Sequence, residues 1–159
     1  MIRHAARQFA VQTLYQIEIG KMTREVAVQN IKLRVEDLRE EAIQLIKSEM
    51  TREQLFELDE QFQLDEFYYS LVDGVLDHQE AIDQIIKANL EGWSLNRLNK
   101  VDKAIIRLAT YEMVFDCKAP NEIIINEALE LTKEFSEIEG GKARSFNNKL
   151  LDKISKHEA

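Results

Sequence analysis

The chain has 159 residues, the size of one ordinary domain, and its one proline and five glycines are too few for most sheet-rich or loop-rich folds. Its one cysteine excludes an internal disulfide and fits the reducing cytoplasm, where we expect the protein to act. The formal net charge of -8 is unevenly distributed along the chain. The net charge is +3 over residues 1–24, -11 over residues 25–92 and zero over residues 93–159, where basic and acidic residues are equal in number.

The first predicted element is a helix from about residue 3 to 19, because apolar side chains recur along it every three or four residues. Gly20 is expected to end it. Arg3 and Arg7 lie one turn apart beside the apolar face, and His4 adjoins them. Cations near a helix N-terminus oppose the helix dipole, at a cost of roughly a few tenths of a kcal/mol each. We therefore expect these residues to bind an anionic ligand.

A long second helix is predicted from about residue 23 to 49, with Thr23 as its N-cap. Its apolar residues alternate three- and four-residue steps, which is a heptad pattern. One interpretation is a hairpin arm that packs along the body, and the other is a face that binds a second protein. The heptad residues are Val28, Ile31, Val35, Leu38, Ala42 and Leu45.

Helical spacing of apolar residues continues through the rest of the chain. Thr51 and Asp65 are candidate N-caps, and a further helix over residues 81–91 is expected to end at Gly92.

In the second half, helices are predicted from Val101 to Phe115, after Pro120, and after the Gly140–Gly141 pair. No segment predicts a convincing strand. The expected fold is therefore all-α, with about seven helices.

No catalytic, cofactor-binding or metal-binding motif is recognised in the sequence. The three histidines lie far apart and share no ligand spacing with the one cysteine, and no glycine-rich phosphate loop occurs. The carboxylates lie on polar helix faces, where a solvated surface is the simpler interpretation. No apolar run reaches the roughly 20 residues that span a bilayer. We therefore expect no enzymatic activity, no cofactor, no metal and no membrane association.

A second basic cluster surrounds Phe146 near the C-terminus. Cations beside an aromatic ring are typical of single-stranded nucleic-acid binding, because phosphates pair with the cations while bases stack on the ring. The alternative is that Phe146 belongs to the core and the cations only keep the surface solvated. The cluster consists of Lys142, Arg144, Lys149, Lys153 and Lys156.

Four segments, in order and covering nearly the whole chain, resemble the NusB family of bacterial transcription antitermination factors. They read RHAARQFAVQTLYQ from Arg3, WSLNRLNKVDKAIIRLATYEM from Trp93, PNEIIINEALELTKEF from Pro120, and SFNNKLLDKI from Ser145. In the last segment, Asn147 and Lys149 replace a valine and a glycine that are usual in the family.

The resemblance implies a single domain of two three-helix bundles, which we expect over residues 1–91 and 92–159. It also implies binding of boxA RNA, a short single-stranded element of ribosomal RNA leader and spacer transcripts. The implied protein partners are NusE, a small-subunit ribosomal protein, and the elongating RNA polymerase. The RNA contacts carried over from the family are Arg3, Arg7, Asp102 and Phe146. His4 occupies a position that is usually basic, and Gln12 and Tyr15 match the family's first helix.

Two alternatives stay open. One is the NusB-like domain of ribosomal RNA cytosine methyltransferases, which is disfavoured because nothing after residue 159 could hold S-adenosylmethionine. The other is a helical scaffold that binds protein through the heptad face of residues 28–45 and binds no RNA.

Overall fold

The computed structural model describes residues 1–46, 49–92, 94–136 and 141–157. This part of the chain contains eight α-helices and no β-strand, which confirms the predicted all-α class with one helix more than the approximate count. None of these helices is long and apolar enough to cross a membrane. The helices are α1 (Arg3–Gly20), α2 (Arg24–Ile46), α3 (Arg52–Gln61), α4 (Glu66–Asp77), α5 (Gln79–Asn89), α6 (Lys100–Tyr111), α7 (Asn121–Phe135) and α8 (Lys142–His157).

Some residues used in the sequence analysis lie outside the described residues. They are residues 47–48 of the second predicted helix, Trp93 at the start of the second family segment, and Gly140 of the predicted helix break.

The chain divides into two compact units, Met1–Ser70 and Leu71–Ala159, and the division falls within α4. The bundle boundary expected between residues 91 and 92 is a different division, and it stays a prediction.

Side-chain caps begin three helices at the residues that the sequence predicted. Thr23 Oγ1 and Asp65 Oδ1 each accept a hydrogen bond from the backbone N–H three residues later, at 3.2 and 3.0 Å. Thr51 begins α3 with a reciprocal capping box, because its Oγ1 accepts from the Gln54 N–H at 3.2 Å while Gln54 Oε1 accepts from the Thr51 N–H at 2.9 Å. Each bond satisfies a backbone donor that the helix itself leaves free.

In the first unit, α1 packs along α2, and these two helices together supply most of the core. The first half of the heptad is buried there, whereas Leu38 and Ala42 are half-buried and Leu45 is 85% exposed. The hairpin-arm interpretation therefore describes the N-terminal half of α2. The buried apolar residues are Ala6, Phe9, Ala10, Val11 and Leu14 of α1 and Ala27, Val28, Ile31 and Val35 of α2.

The helix α3 packs back against α2. Arg39 Nε of α2 donates to Asp59 Oδ1 of α3 at 2.6 Å, with both side chains 37% exposed. A partly exposed pair of this kind contributes little free energy, so it aligns the two helices more than it stabilises them.

In the second unit, α6 is the central helix and packs against α5, α7 and α8. All of its residues from 103 to 110 are buried. Arg107 joins it to α5, because Nε and Nη2 donate to Asp83 Oδ1 and Oδ2, each at 2.8 Å. Asp102 lies in the first turn of α6, so the packing of this buried helix also fixes the backbone of Asp102.

The C-terminal end of α6 continues as a π-helical segment, Glu112–Asp116, beside an aromatic group. The Tyr111 ring lies 5.8 Å from the His78 ring and 6.4 Å from the Phe115 ring, measured between centroids. Gly74 of α4 lies directly against Tyr111, and a Cβ atom there would overlap the phenol ring. The Tyr111 ring can occupy this position because Gly74 has no side chain.

Candidate nucleic-acid interface

Arg3 lies exposed in the first turn of α1, close to an aromatic ring of α4. Its guanidinium carbon is 4.2 Å from the centroid of the Phe67 ring, which is the geometry of a cation–π contact. This contact restrains the side chain without neutralising its charge. Arg3 is therefore suited to bind a phosphate.

Arg7, one turn later, is placed differently from the surface position that the sequence predicted. Its side chain is only 5% exposed, and its guanidinium carbon is 5.2 Å from the Phe67 centroid. The reason is tertiary: α4 packs on α1 through a buried hydrogen bond of 2.6 Å between Thr13 Oγ1 and Tyr68 Oη, which places Phe67 over Arg7. Arg7 thus contacts the same aromatic ring as Arg3, but from a buried position.

The other predicted contacts on α1, which are His4, Gln12 and Tyr15, are all half-exposed. At 3.6 residues per turn, Gln12 is half a turn around the helix from Arg3, so the two project from opposite sides of α1. His4 and Tyr15 lie within about 20° of each other around α1, between the directions of Arg3 and Gln12.

Phe146, in the second unit, is half-buried and lines a small open pocket of about 170 Å³. It is thus neither wholly a core residue nor wholly exposed, and one part of its surface stays accessible. An accessible aromatic surface with cations beside it suits an unstacked base and its phosphates. The pocket is lined by Asn89, Leu90, Glu91, Phe146, Lys149, Leu150 and Lys153.

The basic cluster around Phe146 carries less available charge than the sequence suggested. Lys156 Nζ lies 3.0 Å from Asp152 Oδ2, and Lys153 Nζ lies 3.0 Å from Glu91 Oε1 of the segment after α5. Lys149 makes no ion pair with the residues that the structure describes. Among the cations lining the pocket, Lys149 is therefore the better candidate for a phosphate contact.

Asp102 lies in the first turn of α6, where the helix dipole favours a carboxylate. The helix begins at Asn99, whose Oδ1 accepts from the Val101 N–H at 2.8 Å, a cap that the sequence analysis missed. Asp102 Oδ1 accepts from Nδ2 of Asn147 at 3.2 Å. Since Asn147 follows Phe146 in α8, the structure brings the predicted contacts Asp102 and Phe146 into one neighbourhood. The only sequence signal for Asn147 was its departure from the family pattern.

The described residues contain no group of three or more His, Cys, Asp or Glu side chains that could hold a metal ion. The chemistry that the site offers is cationic, aromatic and hydrogen-bonding.

Comparisons with known proteins agree with the family resemblance found in the sequence. A profile described as the NusB family matches residues 4–156. Transcription antitermination protein NusB of Geobacillus kaustophilus is 35% identical over 154 residues, which cover 97% of this chain and 95% of the relative. The protein of the same name from an Exiguobacterium species is 37% identical over 158 residues, which cover 99% of this chain and all of the relative.

Solved structures share the fold. Thermotoga maritima NusB matches with a TM-score of 0.69 and 26% identity, over 100% of this chain and 94% of that one. A chain in a crystal structure of antitermination factors NusB and NusE with double-stranded RNA matches with a TM-score of 0.68, over 99% of both chains. Its 22% identity supports similarity of fold alone.

Proposed function

The chain belongs to the NusB family, and from this premise we propose that it is an RNA-binding transcription antitermination factor. It binds boxA RNA together with NusE on elongating RNA polymerase and supports transcription of ribosomal RNA. It acts in the cytoplasm by assembling a complex, without catalysis and without a cofactor. The observation that carries the proposal is the surface beside Phe146, whose partly accessible ring lines a pocket with Lys149, a cation without an ion pair among the described residues. The Asp102 carboxylate is hydrogen-bonded to Asn147, the next residue of the same helix as Phe146.

Each group at this surface matches one part of a single-stranded RNA. The Phe146 ring offers a platform for a splayed base, and Lys149 offers a charge for the adjoining phosphate. The Asp102 carboxylate accepts hydrogen bonds, so its partners are base amino groups or a ribose 2′-hydroxyl. Stacking and phosphate contacts supply affinity, whereas Asp102 supplies discrimination.

The first unit contributes a second set of contacts. Arg3 binds a phosphate, and His4, Gln12 and Tyr15 offer hydrogen bonds and stacking along α1. Arg7 acts indirectly, because its buried guanidinium supports the Phe67 ring on which Arg3 rests.

NusE and the polymerase enter the proposal as partners that bind jointly with the RNA. Simultaneous binding raises the effective affinity of each contact without any new contact. The acidic charge of residues 25–92 opposes non-specific coating by RNA, so binding depends on the few groups described above.

The scaffold alternative, which uses the heptad face of residues 28–45 without RNA, is not favoured. Val28, Ile31 and Val35 are buried in the first unit and are not available to a partner. The chain matches relatives named transcription antitermination protein NusB over 95% and 100% of their length.

The proposal is tested by measuring binding of a boxA RNA and a scrambled RNA, with and without NusE. Phe146→Ala is expected to weaken boxA binding about 5- to 150-fold, because one base loses its stacking platform worth roughly 1–3 kcal/mol. Phe56→Ala is the matched control, since Phe56 is a 64% exposed phenylalanine on the acidic helix α3. If neither RNA binds even with NusE, or if Phe146→Ala binds boxA like the parent protein, the proposal is wrong.

A further inference from the structure

A fully buried amide links the proposed RNA-binding carboxylate to the interior of the second unit. Asn147 is 0% exposed. Its Nδ2 donates to Asp102 Oδ1 of α6 at 3.2 Å and to Thr132 Oγ1 of α7 at 3.0 Å. One side chain of α8 therefore connects three helices.

The orientation of this amide is determined by its partners. Thr132 Oγ1 donates its own proton to the Ala128 carbonyl at 2.8 Å, so toward Asn147 it can only accept. A carboxylate oxygen also only accepts. Both contacts therefore need the NH₂ end of the amide, and its two protons are both used.

The other end of the amide is unsatisfied. Asn147 Oδ1 is buried and has no hydrogen-bond partner among the described residues. A buried acceptor without a partner is unfavourable for folding. The resemblance to the NusB family gives valine as the usual residue here, so this chain carries a polar group in an apolar position. Stability alone does not account for it.

We infer that Asn147 is a positioning residue, which holds the Asp102 carboxylate in the orientation that accepts a hydrogen bond from RNA. The inference rests on the proposed function. Asn147 occupies Oδ1 of a half-buried carboxylate on a rigid helix, and Oδ2 makes no hydrogen bond with the described residues. Oδ2 is therefore left for a base amino group or a 2′-hydroxyl. Without Asn147 the carboxylate would rotate among several rotamers, and part of the binding free energy would be spent on ordering it.

The test is a double-mutant cycle on boxA affinity with Asn147→Val, Asp102→Ala and both together. Asp102→Ala is expected to weaken binding about 10- to 150-fold, as for a lost hydrogen bond to a charged group. Asn147→Val is expected to weaken it about three- to tenfold in the parent protein and to have no further effect once Asp102 is absent.

Thermal unfolding separates positioning from support of the fold. Asn147→Val is expected to leave the melting temperature unchanged or raised, because it removes the unsatisfied Oδ1. Asn148→Ala is the matched control, since Asn148 is the exposed neighbour in the same helix, and it should change neither affinity nor stability.

The outcomes also separate this inference from the function on which it rests. If the parent protein binds no boxA RNA even with NusE, the proposed function and the inference both fail. If it binds but Asn147→Val leaves the affinity unchanged, or weakens it equally with and without Asp102, the inference alone fails.

Discussion

Arg3 and Arg7 show how two residues of one type, one turn apart, take different tasks. The Phe67 ring contacts both guanidinium groups, yet Arg3 is exposed and Arg7 is 5% exposed. A buried guanidinium in contact with a ring supports the local packing, whereas an exposed one in contact with the same ring stays open to an anion. Sequence spacing placed both on one stripe, and only the packing of α4 distinguishes them.

Ionisation of Tyr111 makes the free energy of unfolding depend on pH. Burial raises the pKa of its phenol above the ordinary 10.0, and the nearby charges of Asp116, Glu112 and Asp77 raise it further. The folded state therefore favours the neutral phenol. The associated stability is full below about pH 10, the unfolded value, and is lost as the pH rises through the folded pKa.

Tyr111→Phe cannot ionise and is expected to lose less free energy of unfolding between pH 8 and pH 11 than the parent protein. Chemical denaturation at the two pH values measures this difference. Other tyrosines and the lysines titrate in both proteins and cancel in the comparison. An equal loss in the two proteins would contradict the prediction.

At the scale of elements, three helix starts were predictable, whereas the Asn99 cap of α6 and the contacts between helices were not. Thr23, Thr51 and Asp65 were recognised because a cap depends on residues within one turn. The end of α1 differs from the prediction by one residue: Gly20 still belongs to the helix, and the left-handed residue that ends it is Lys21, with φ 49°. The residue at which a helix ends depends on the direction that the following segment takes, and no local sequence pattern specifies that direction.

Contacts between distant elements had no sequence signal. The ion pair of Arg107 with Asp83 and the approach of Gly74 to Tyr111 each join residues of different helices. Any charged residue of α6 could have faced solvent, and Gly74 could have been one more tolerated helix glycine. Only the packing assigns them a partner.

Gly74→Ala tests the close approach directly. An added Cβ overlaps the Tyr111 ring, and overpacking of this kind costs roughly 1–3 kcal/mol. The gain in helix propensity offsets about 1 kcal/mol of that cost. We expect a lower free energy of unfolding for Gly74→Ala in the parent protein, but a gain of up to about 1 kcal/mol in a Tyr111→Ala background.

Gly20→Ala serves as the control, because a Cβ there meets only the flexible side chain of Met22, at 3.0 Å and beyond. Denaturation curves of the single and double variants measure all of these effects. The same change for Gly74→Ala in both backgrounds would show that Tyr111 does not limit the space.

For the whole molecule, acidic and basic residues are separated along the chain, but the positive charge of the basic cluster around Phe146 is partly neutralised by carboxylates. Residues 25–92 carry -11, and one of their carboxylates, Glu91, pairs with Lys153 of the basic cluster. In the sequence, Asp152 is the one carboxylate between Lys142 and Lys156, so the contribution of Glu91 is seen only in the folded chain. The available positive charge is therefore small, and RNA binding must combine a few phosphate contacts with stacking.

The candidate site was foreseeable in its residue types but not in its arrangement. Family resemblance named Asp102 and Phe146, which the structure places in one neighbourhood. The same resemblance marked Asn147 only as a departure. Its role became visible through two hydrogen bonds to residues 15 and 45 positions away, which no spacing rule connects.

The salt dependence of RNA binding should separate charge from stacking. Each phosphate contact on a single strand adds about 0.7 to the slope of log affinity against log salt concentration. Lys149→Ala is therefore expected to flatten the slope by about 0.7, because Lys149 has no ion pair among the described residues. Lys156→Ala is expected to change it less, since Asp152 already lies 3.0 Å from that ammonium group. Phe146→Ala should lower the affinity at every salt concentration without changing the slope, because stacking releases no counterions. Equal flattening by the two lysine variants would mean that the cluster attracts RNA as a diffuse positive surface, and that Lys149 makes no specific phosphate contact.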